Sequence, residues 1–244
     1  MKLRPLLLLF ALMTHALMAE EVVLQNGLNG YEGGSDATLN GEVEKLRVYN
    51  FGHAEILEVA GVAAGGMRRL VLIQFQDLVG EKRIPSGKSI QSARLELYKI
   101  KDMGTAATFS QLKENQRFLY AYGMQRSWAA GRGDGELDPE GVAFGHVSLD
   151  DEVPVYWGEA NQIETGPVKG VDYQLLPFAR APLEQGIEAA WMQWDVTEFV
   201  REWASEAEKN PGLFLTARSF YVGAQFASCE SPDQELRPRL VVSY

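Results

Sequence analysis

The sequence predicts an all-β fold, an antiparallel jelly-roll β-sandwich that carries one short amphipathic helix. Three observations support this prediction. Short runs of β-branched and aromatic residues recur along most of the chain, and Gly, Pro, Asn and Asp separate them. Only one segment has apolar residues at clear helical spacing. Many short strands punctuated in this way are typical of sandwiches and jelly rolls.

The predicted strands differ in how their apolar residues are arranged. Residues 70–78 are apolar at most positions, which is typical of a central strand that is covered on both faces. Residues 92–100 alternate, so Leu95 and Leu97 face one way while Glu96 and Tyr98 face the other. The other predicted strands are 22–25, 46–49, 55–59, 118–122, 191–194, 212–217, 221–228 and 239–244.

One segment near residue 200 predicts a helix. Asp195 stands at an N-cap position and Glu198 follows three residues later, which is the pattern of a capping box. The residues at helical spacing form one apolar stripe: Val196, Phe199, Val200 and Trp203. We therefore expect the helix to pack on the sandwich, with Trp203 in the core.

The segment 129–170 differs from the rest of the chain. It is rich in Gly and acidic residues and contains few apolar runs. We expect a long excursion over the surface of the protein, with one strand near residues 142–149.

The first residues have the features of an export signal. Two positive residues are followed by an uncharged apolar run over 6–12 and then by small residues up to Ala19. The run is shorter than the roughly 20 residues that cross a bilayer, although a membrane anchor is the alternative interpretation. The sequence therefore predicts a signal peptide over 1–19 and a secreted or cell-envelope protein with a single β-sandwich domain over 20–244.

Charge and composition restrict the partners. The full chain has a net charge of −10, and removal of Lys2 and Arg4 with the signal changes it to −12. Such an acidic protein repels phosphate backbones, so we expect no nucleic-acid partner. The hydrophobic content of 46% is sufficient for a packed core.

The residues that support catalysis or metal binding are sparse. Cys229 is the only cysteine, so it cannot form an internal disulfide, and we expect it to be a buried residue in a strand. His53 and His146 alone remain after signal removal, and the sequence contains no HExxH motif, no nucleophile elbow and no phosphate-binding loop. We therefore expect no enzymatic activity and no cofactor. A structural calcium ion stays open, because acidic residues cluster at 134–138 and 150–152.

Several stretches occur in an order that resembles the DNRLRE domain family, whose members are exported modules counted among carbohydrate-binding modules. The opening segment 22–33 resembles that family's first strand and turn. The later matches are 35–39 with a D-T-x-L pattern, 72–87 with L-I-R-F-D … I-P-x-G, 90–97 with I-x-S-A-x-L-x-L, 194–215 with D-V-T … V-x-x-W … N-x-G-x-x-L, and 226–244 with F-x-S-x-E … R-P-x-L-x-V-x-Y.

The resemblance implies a jelly-roll sandwich that binds a polysaccharide or a cell-surface glycan. Two departures limit what can be transferred. Gln74 and Gln76 replace the usual Arg and Asp of the central strand, and the segment 129–170 follows no family motif. The choice of ligand therefore cannot be carried over from the family.

Sugar recognition requires exposed aromatic rings that stack on the apolar face of a sugar. Three aromatic residues lie in or beside the excursion, one lies in the Gly-flanked first turn, and one alternates away from the core in its strand. These candidates are Trp128, Tyr156, Trp157, Tyr31 and Trp191. The alternative for each is a satellite core beneath a long loop.

The sequence therefore predicts an exported, non-catalytic carbohydrate-binding module. Two rival functions stay open. One is a structural or adhesive protein of the cell surface or matrix whose partner is another protein. The other is a polysaccharide hydrolase or lyase, because the abundant acidic residues leave room for a carboxylate pair.

Overall fold

A computed structural model describes residues 19–61, 68–104, 106–149, 154–158, 166–184, 186, 189–219 and 222–244. The strands are β1 Glu21–Gln25, β2 Gly34–Asn40, β3 Ile56–Ala60, β4 Arg69–Phe75, β5 Ser92–Asp102, β6 Phe118–Gly123, β7 Ala179–Pro182, β8 Ala190–Asp195, β9 Leu213–Ala217, β10 Gly223–Ala227 and β11 Arg239–Ser243. The helices are α1 Ala106–Ser110 and α2 Thr197–Ser205, and short 3-10 turns lie at Glu44–Val48, Glu114–Gln116, Ala207–Lys209 and Gln234–Leu236.

The eleven strands pair antiparallel in one curled sheet, which confirms the predicted all-β sandwich. Their order is β1-β11-β5-β10-β3-β4-β9-β6-β7, while β2 pairs with β4 and β8 pairs with β5. β3 and β4 meet through a single residue pair, Ala60 and Arg69, where the sheet turns from its first layer into its second. The first layer holds β1, β11, β5, β8, β10 and β3, and the second holds β2, β4, β9, β6 and β7.

The main core lies between these two layers. Leu95 and Leu97 of β5 enter it from the first layer, and Ile73 of β4 enters it from the second. The alternation predicted for residues 92–100 is thus confirmed. β4 is buried on both faces, as predicted, because Leu72 points away from the main core into a second cluster.

The second cluster forms where the excursion packs on the outer face of the second layer. Leu39, Leu72 and Phe214 of the sheet contact residues that the excursion supplies: Trp128, Val142, Phe144, Val147 and Trp157. The predicted strand near 142–149 is wrong, because only isolated bridges occur there, such as Ala143 with His146.

Two buried polar side chains stabilise the excursion, which has no regular strand ladder. Asn50 is completely buried, and its amide donates to the carbonyls of Ala130 and Val142 at 2.6 and 2.7 Å. Asp172 is also completely buried, and its carboxylate accepts from the main-chain N–H of Gly158 and of Val168. Each side chain satisfies main-chain groups of an irregular segment that has no neighbouring strand.

The predicted helix is present, but its N-terminus differs from a capping box. The Asp195 carboxylate accepts hydrogen bonds from both the N–H and the hydroxyl of Thr197, while Glu198 pairs with Arg201. Glu198 therefore stabilises the first turn through an i,i+3 ion pair. Trp203 is 3% exposed and belongs to the main core, which confirms the predicted orientation of the helix.

Candidate functional site

The structure buries both tryptophans that the sequence placed on an exposed excursion. Trp157 has no exposed surface, and its indole N–H donates to the Ala143 carbonyl at 2.9 Å. Trp128 is 8% exposed and donates to the Pro211 carbonyl at 2.8 Å. The expectation of exposed rings is wrong for these residues, because the excursion packs on the sheet and builds the satellite core that was the alternative.

Tyr31 is also buried, at 3% exposure. Its hydroxyl donates to the Gln76 carbonyl at 2.7 Å, and burial raises the pKa of this hydroxyl well above its ordinary value. The first turn thus uses its aromatic ring to tie the turn to the end of β4, and no face of the ring is open to a sugar. The predicted exposure of Tyr31 is therefore wrong as well.

Tyr156 and Trp191 are the two predicted site residues that keep partly exposed rings. Tyr156 stands beside the buried Trp157. Trp191 lies on β8 directly opposite Tyr98 of β5, and the two rings meet edge to face with centroids 5.4 Å apart. The outward direction predicted for Trp191 agrees with its partial exposure.

A charged network fixes the Trp191 ring from one side. The Arg239 guanidinium lies 3.9 Å from the ring centroid, and its Nε is 2.7 Å from the Glu96 carboxylate. Glu96 is 2% exposed and also accepts from Gln193 at 2.9 Å. A cation held against an aromatic face by a buried carboxylate keeps the ring in one orientation, so Trp191 is preorganised.

Trp191 lines a groove at the open side of the sandwich, where β7 of one layer approaches β8 of the other. Trp191 and Gln193 line a cavity of about 410 Å³, and Phe109 and Phe118 line a neighbouring cavity of about 560 Å³. Both cavities share Pro182 and Glu184. We call these two adjacent cavities together the edge groove.

The wall of the edge groove is fixed by a buried ion pair. Lys99 is 2% exposed, and its ammonium donates to the Asp102 carboxylate at 2.9 Å and to the Glu184 carbonyl at 2.8 Å. Asp102 accepts in turn from the N–H of Gly186. These contacts attach the segment after β7 to β5, so the polar rim of the groove is built on the sheet.

The excursion has a cavity of its own, with a volume of about 330 Å³. Its lining includes Arg132, Glu136 and Asp138 and contains no aromatic residue. The Asp138 carboxylate accepts from main-chain N–H groups of its own loop at Arg132 and Glu140. This acidic cluster therefore organises a turn, and the excursion offers polar contacts without a stacking surface.

Within the described ranges, no group of three or more His, Cys, Asp or Glu side chains is arranged to hold a metal ion. Of the two acidic clusters at 134–138 and 150–152, the second lies outside the described residues. A structural calcium ion at that cluster stays a prediction. His146 is completely buried, and burial lowers its pKa, which keeps the imidazole neutral at pH 7.

Cys229 is buried as expected, but it lies in the turn after β10 and not within a strand. Its N–H donates to the Asp36 carboxylate at 2.8 Å. Asp36 is 2% exposed, and burial is the largest cause that raises its pKa from 3.8 to about 7. Asp36 therefore retains a proton in the folded protein that it releases in the unfolded protein, so the contribution of Asp36 to stability falls as pH rises from about 4 to 7.

The sequence missed the groove itself and the role of Tyr98. Alternation did direct Tyr98 and Trp191 outward, and this was the available signal. The meeting of these two rings depends on the pairing of β5 with β8, which are about ninety residues apart in the chain. Such a long-range register cannot be derived from local patterns.

Comparison with known proteins does not assign the chain to a family. No family model matches the chain, and no curated protein matches it. The resemblance to the DNRLRE domain family stays a prediction. No helix in the described part of the chain has the length and apolar character needed to cross a membrane.

Proposed function

We propose that this protein is an exported, non-catalytic carbohydrate-binding module that holds a glycan chain in the edge groove. The observation that carries this proposal is Trp191, a partly exposed ring that lines a 410 Å³ cavity next to the exposed amide side chain of Gln193. An aromatic surface beside polar side chains is the combination that sugars require, because each sugar has an apolar face and a rim of hydroxyl groups.

The preorganised Trp191 ring favours a glycan site in the edge groove over a glycan site in the excursion. Arg239 and Tyr98 fix the orientation of Trp191 before any ligand binds, so little side-chain entropy is lost on binding. Phe118 and Phe109 extend the apolar lining into the neighbouring cavity. The groove thus has room for several sugar units in a row, as expected for a polymer ligand.

The affinity for short ligands should be low. One stacked ring contributes on the order of 1 kcal/mol, so a short oligosaccharide has few strong contacts. A polymer offers repeated sites and is retained longer, because a released segment is quickly replaced by its neighbour. Weak binding of oligosaccharides and stronger retention by polymers is therefore the expected pattern.

Affinity electrophoresis against neutral and uronic-acid polysaccharides tests the proposal. We expect at least one polymer to retard the wild-type protein, and we expect Trp191→Ala to weaken the interaction about fivefold, as the loss of a contact of about 1 kcal/mol implies, with little change in melting temperature. Tyr156→Ala is the matched control, since it removes a half-buried aromatic ring from the excursion and should leave the retardation intact.

Two results would overturn the proposal in favour of a rival. Absence of retardation by every polymer would favour the adhesive function. Release of reducing sugar or of unsaturated product during the incubation would favour the polysaccharide-degrading enzyme.

One observation favours the adhesive rival. Leu175 and Leu176 are 66% and 74% exposed and are adjacent in the segment that leads into β7. Adjacent exposed leucines are more typical of a protein-binding surface than of a sugar site. A Leu175→Ser, Leu176→Ser double variant that loses attachment to cells while it keeps polymer retardation would assign these residues to a protein contact.

A further inference from the structure

Two arginines, one on β7 and one directly after β9, lie over aromatic rings on the outer face of β6. Phe118 and Tyr120 are two residues apart on β6, so both rings point to the same side, and their centroids are 6.3 Å apart. The Arg180 guanidinium lies 4.4 Å from the Phe118 ring, and the Arg218 guanidinium lies 4.3 Å from the Tyr120 ring. We call these four residues the arginine ladder.

Both guanidinium groups keep N–H donors that point away from the rings beneath them. Arg218 uses its Nε and one terminal nitrogen to donate to the Tyr122 hydroxyl, and this bond fixes the plane of the group. Arg180 lies directly across from Tyr120 in the β6–β7 register and makes no side-chain hydrogen bond to any described residue. Each side chain is exposed, so each presents a fixed fork of N–H donors to solvent.

The two arginines of the ladder have no carboxylate partner among the described residues. Among the described residues, neither Arg180 nor Arg218 forms an ion pair, whereas other arginines of the sheet, such as Arg69 and Arg94, each contact a carboxylate. This is unexpected in a chain whose Asp and Glu outnumber Lys and Arg by 33 to 23. Two cations on one face that lack an ion pair within the described part of the chain raise the local potential of an otherwise acidic protein.

The ladder adjoins the edge groove. Phe118, which carries Arg180 on its ring, also lines the 560 Å³ cavity, and it pairs across the strands with Pro182 of the shared wall. A chain bound along the groove would therefore pass next to Arg180 on leaving it.

We propose that the arginine ladder is an anion subsite that binds carboxylate or sulfate groups of a charged polysaccharide held in the edge groove. The inference rests on the proposed function, because the ladder extends the same groove. A planar guanidinium donates two parallel hydrogen bonds to either oxyanion, and the ring beneath each guanidinium restricts its position. The subsite gives charge selectivity, while Trp191 supplies stacking that is indifferent to charge.

The test uses one uronic-acid polymer, its fully methyl-esterified and therefore uncharged form, and a sulfated polymer. Binding of the wild-type protein and of Arg180→Gln, Arg218→Gln and Trp191→Ala is measured at low and high salt. Arg132→Gln is the matched control, because Arg132 is another exposed arginine without an ion pair among the described residues, but it lies in the excursion.

We expect the wild type to bind at least one charged polymer more tightly than the esterified polymer and to lose this preference at high salt. Each ladder variant should weaken binding to the charged polymer about fivefold, as an exposed contact of about 1 kcal/mol implies, and leave binding to the esterified polymer unchanged. Arg132→Gln should change neither. The uronic-acid and sulfated polymers, measured separately, identify which oxyanion the ladder accepts.

Equal binding of charged and esterified polymers by the wild type would overturn the inference, and so would an equal loss in Arg132→Gln. The melting temperature of each variant is measured without polymer, so that binding is compared at a temperature at which every protein is folded. The proposed function fails in a different way, because Trp191→Ala would then leave binding to the esterified polymer unchanged.

Discussion

Asn50→Ala is the sharpest structural perturbation that the fold suggests. The buried Asn50 amide donates to Ala130 and Val142, and its oxygen accepts from the N–H of Gly52 and of Gly133 at 3.1 and 2.8 Å. Alanine would leave four main-chain groups without partners. A buried group without its partner costs about 1–3 kcal/mol, and the adjoining 330 Å³ cavity would admit water to some of them.

We therefore expect the Asn50→Ala variant to lose about 3–5 kcal/mol of unfolding free energy. Urea denaturation followed by circular dichroism and by tryptophan fluorescence measures this loss. The native fluorescence of the variant should shift to the red, because the loosened excursion admits water to Trp128 and Trp157. Asn40→Ala is the control and should lose about 1 kcal/mol, since the Asn40 side chain makes one hydrogen bond, to the N–H of Glu42.

A loss below about 1 kcal/mol for Asn50→Ala, with unchanged fluorescence, would refute the reasoning. It would mean that the excursion is held by its apolar contacts alone and that Asn50 is not the residue that anchors it.

Three further predictions follow from burial and from the N-terminal pattern. Trp203→Ala should cost about 3–5 kcal/mol in denaturant melts, the usual loss for a large buried aromatic ring, and a loss below about 1 kcal/mol would contradict its place in the core. Between pH 4 and 7, wild-type stability relative to Asp36→Asn should fall by about 1.4 kcal/mol per pH unit, because the ionised carboxylate is disfavoured in the fold; parallel pH profiles would contradict this. Mass spectrometry of protein from its native cell should find a mature N-terminus near Glu20 and no peptide from residues 6–12, whereas an intact N-terminus would refute export through a cleaved signal.

Local sequence patterns predicted those parts of the fold that depend on period and on helix spacing. β4 and β5 were identified with their correct faces, because a fully apolar run and an alternating run have different burial requirements. The stripe that contains Trp203 identified both the helix and its buried side. The predicted capping box is absent because the Glu198 carboxylate pairs with Arg201, and sequence spacing does not determine which of these contacts forms.

The candidate site was predicted less well, because exposure depends on which distant segments cover a residue. Trp128 and Trp157 lie in a Gly-rich segment that is typical of a surface loop, yet the outer face of the second layer has apolar residues, such as Leu72 and Phe214, that require cover. Residues 70–78 predict a strand that is covered on both faces, but they do not indicate that the excursion is the segment that covers its outer face.

The central claim is that Trp191 in the edge groove contacts a glycan. An NMR titration of ¹⁵N-labelled protein tests it directly, because each of the five tryptophans gives one indole N–H signal, and Trp191→Phe identifies the signal of Trp191. On addition of an oligosaccharide from the retarding polymer, the Trp191 signal should shift progressively and saturate. The signals of Trp128 and Trp157, whose indole N–H groups are bonded inside the protein, should stay in place. A saturable shift at Trp128 or Trp157 with an unmoved Trp191 signal would contradict the account.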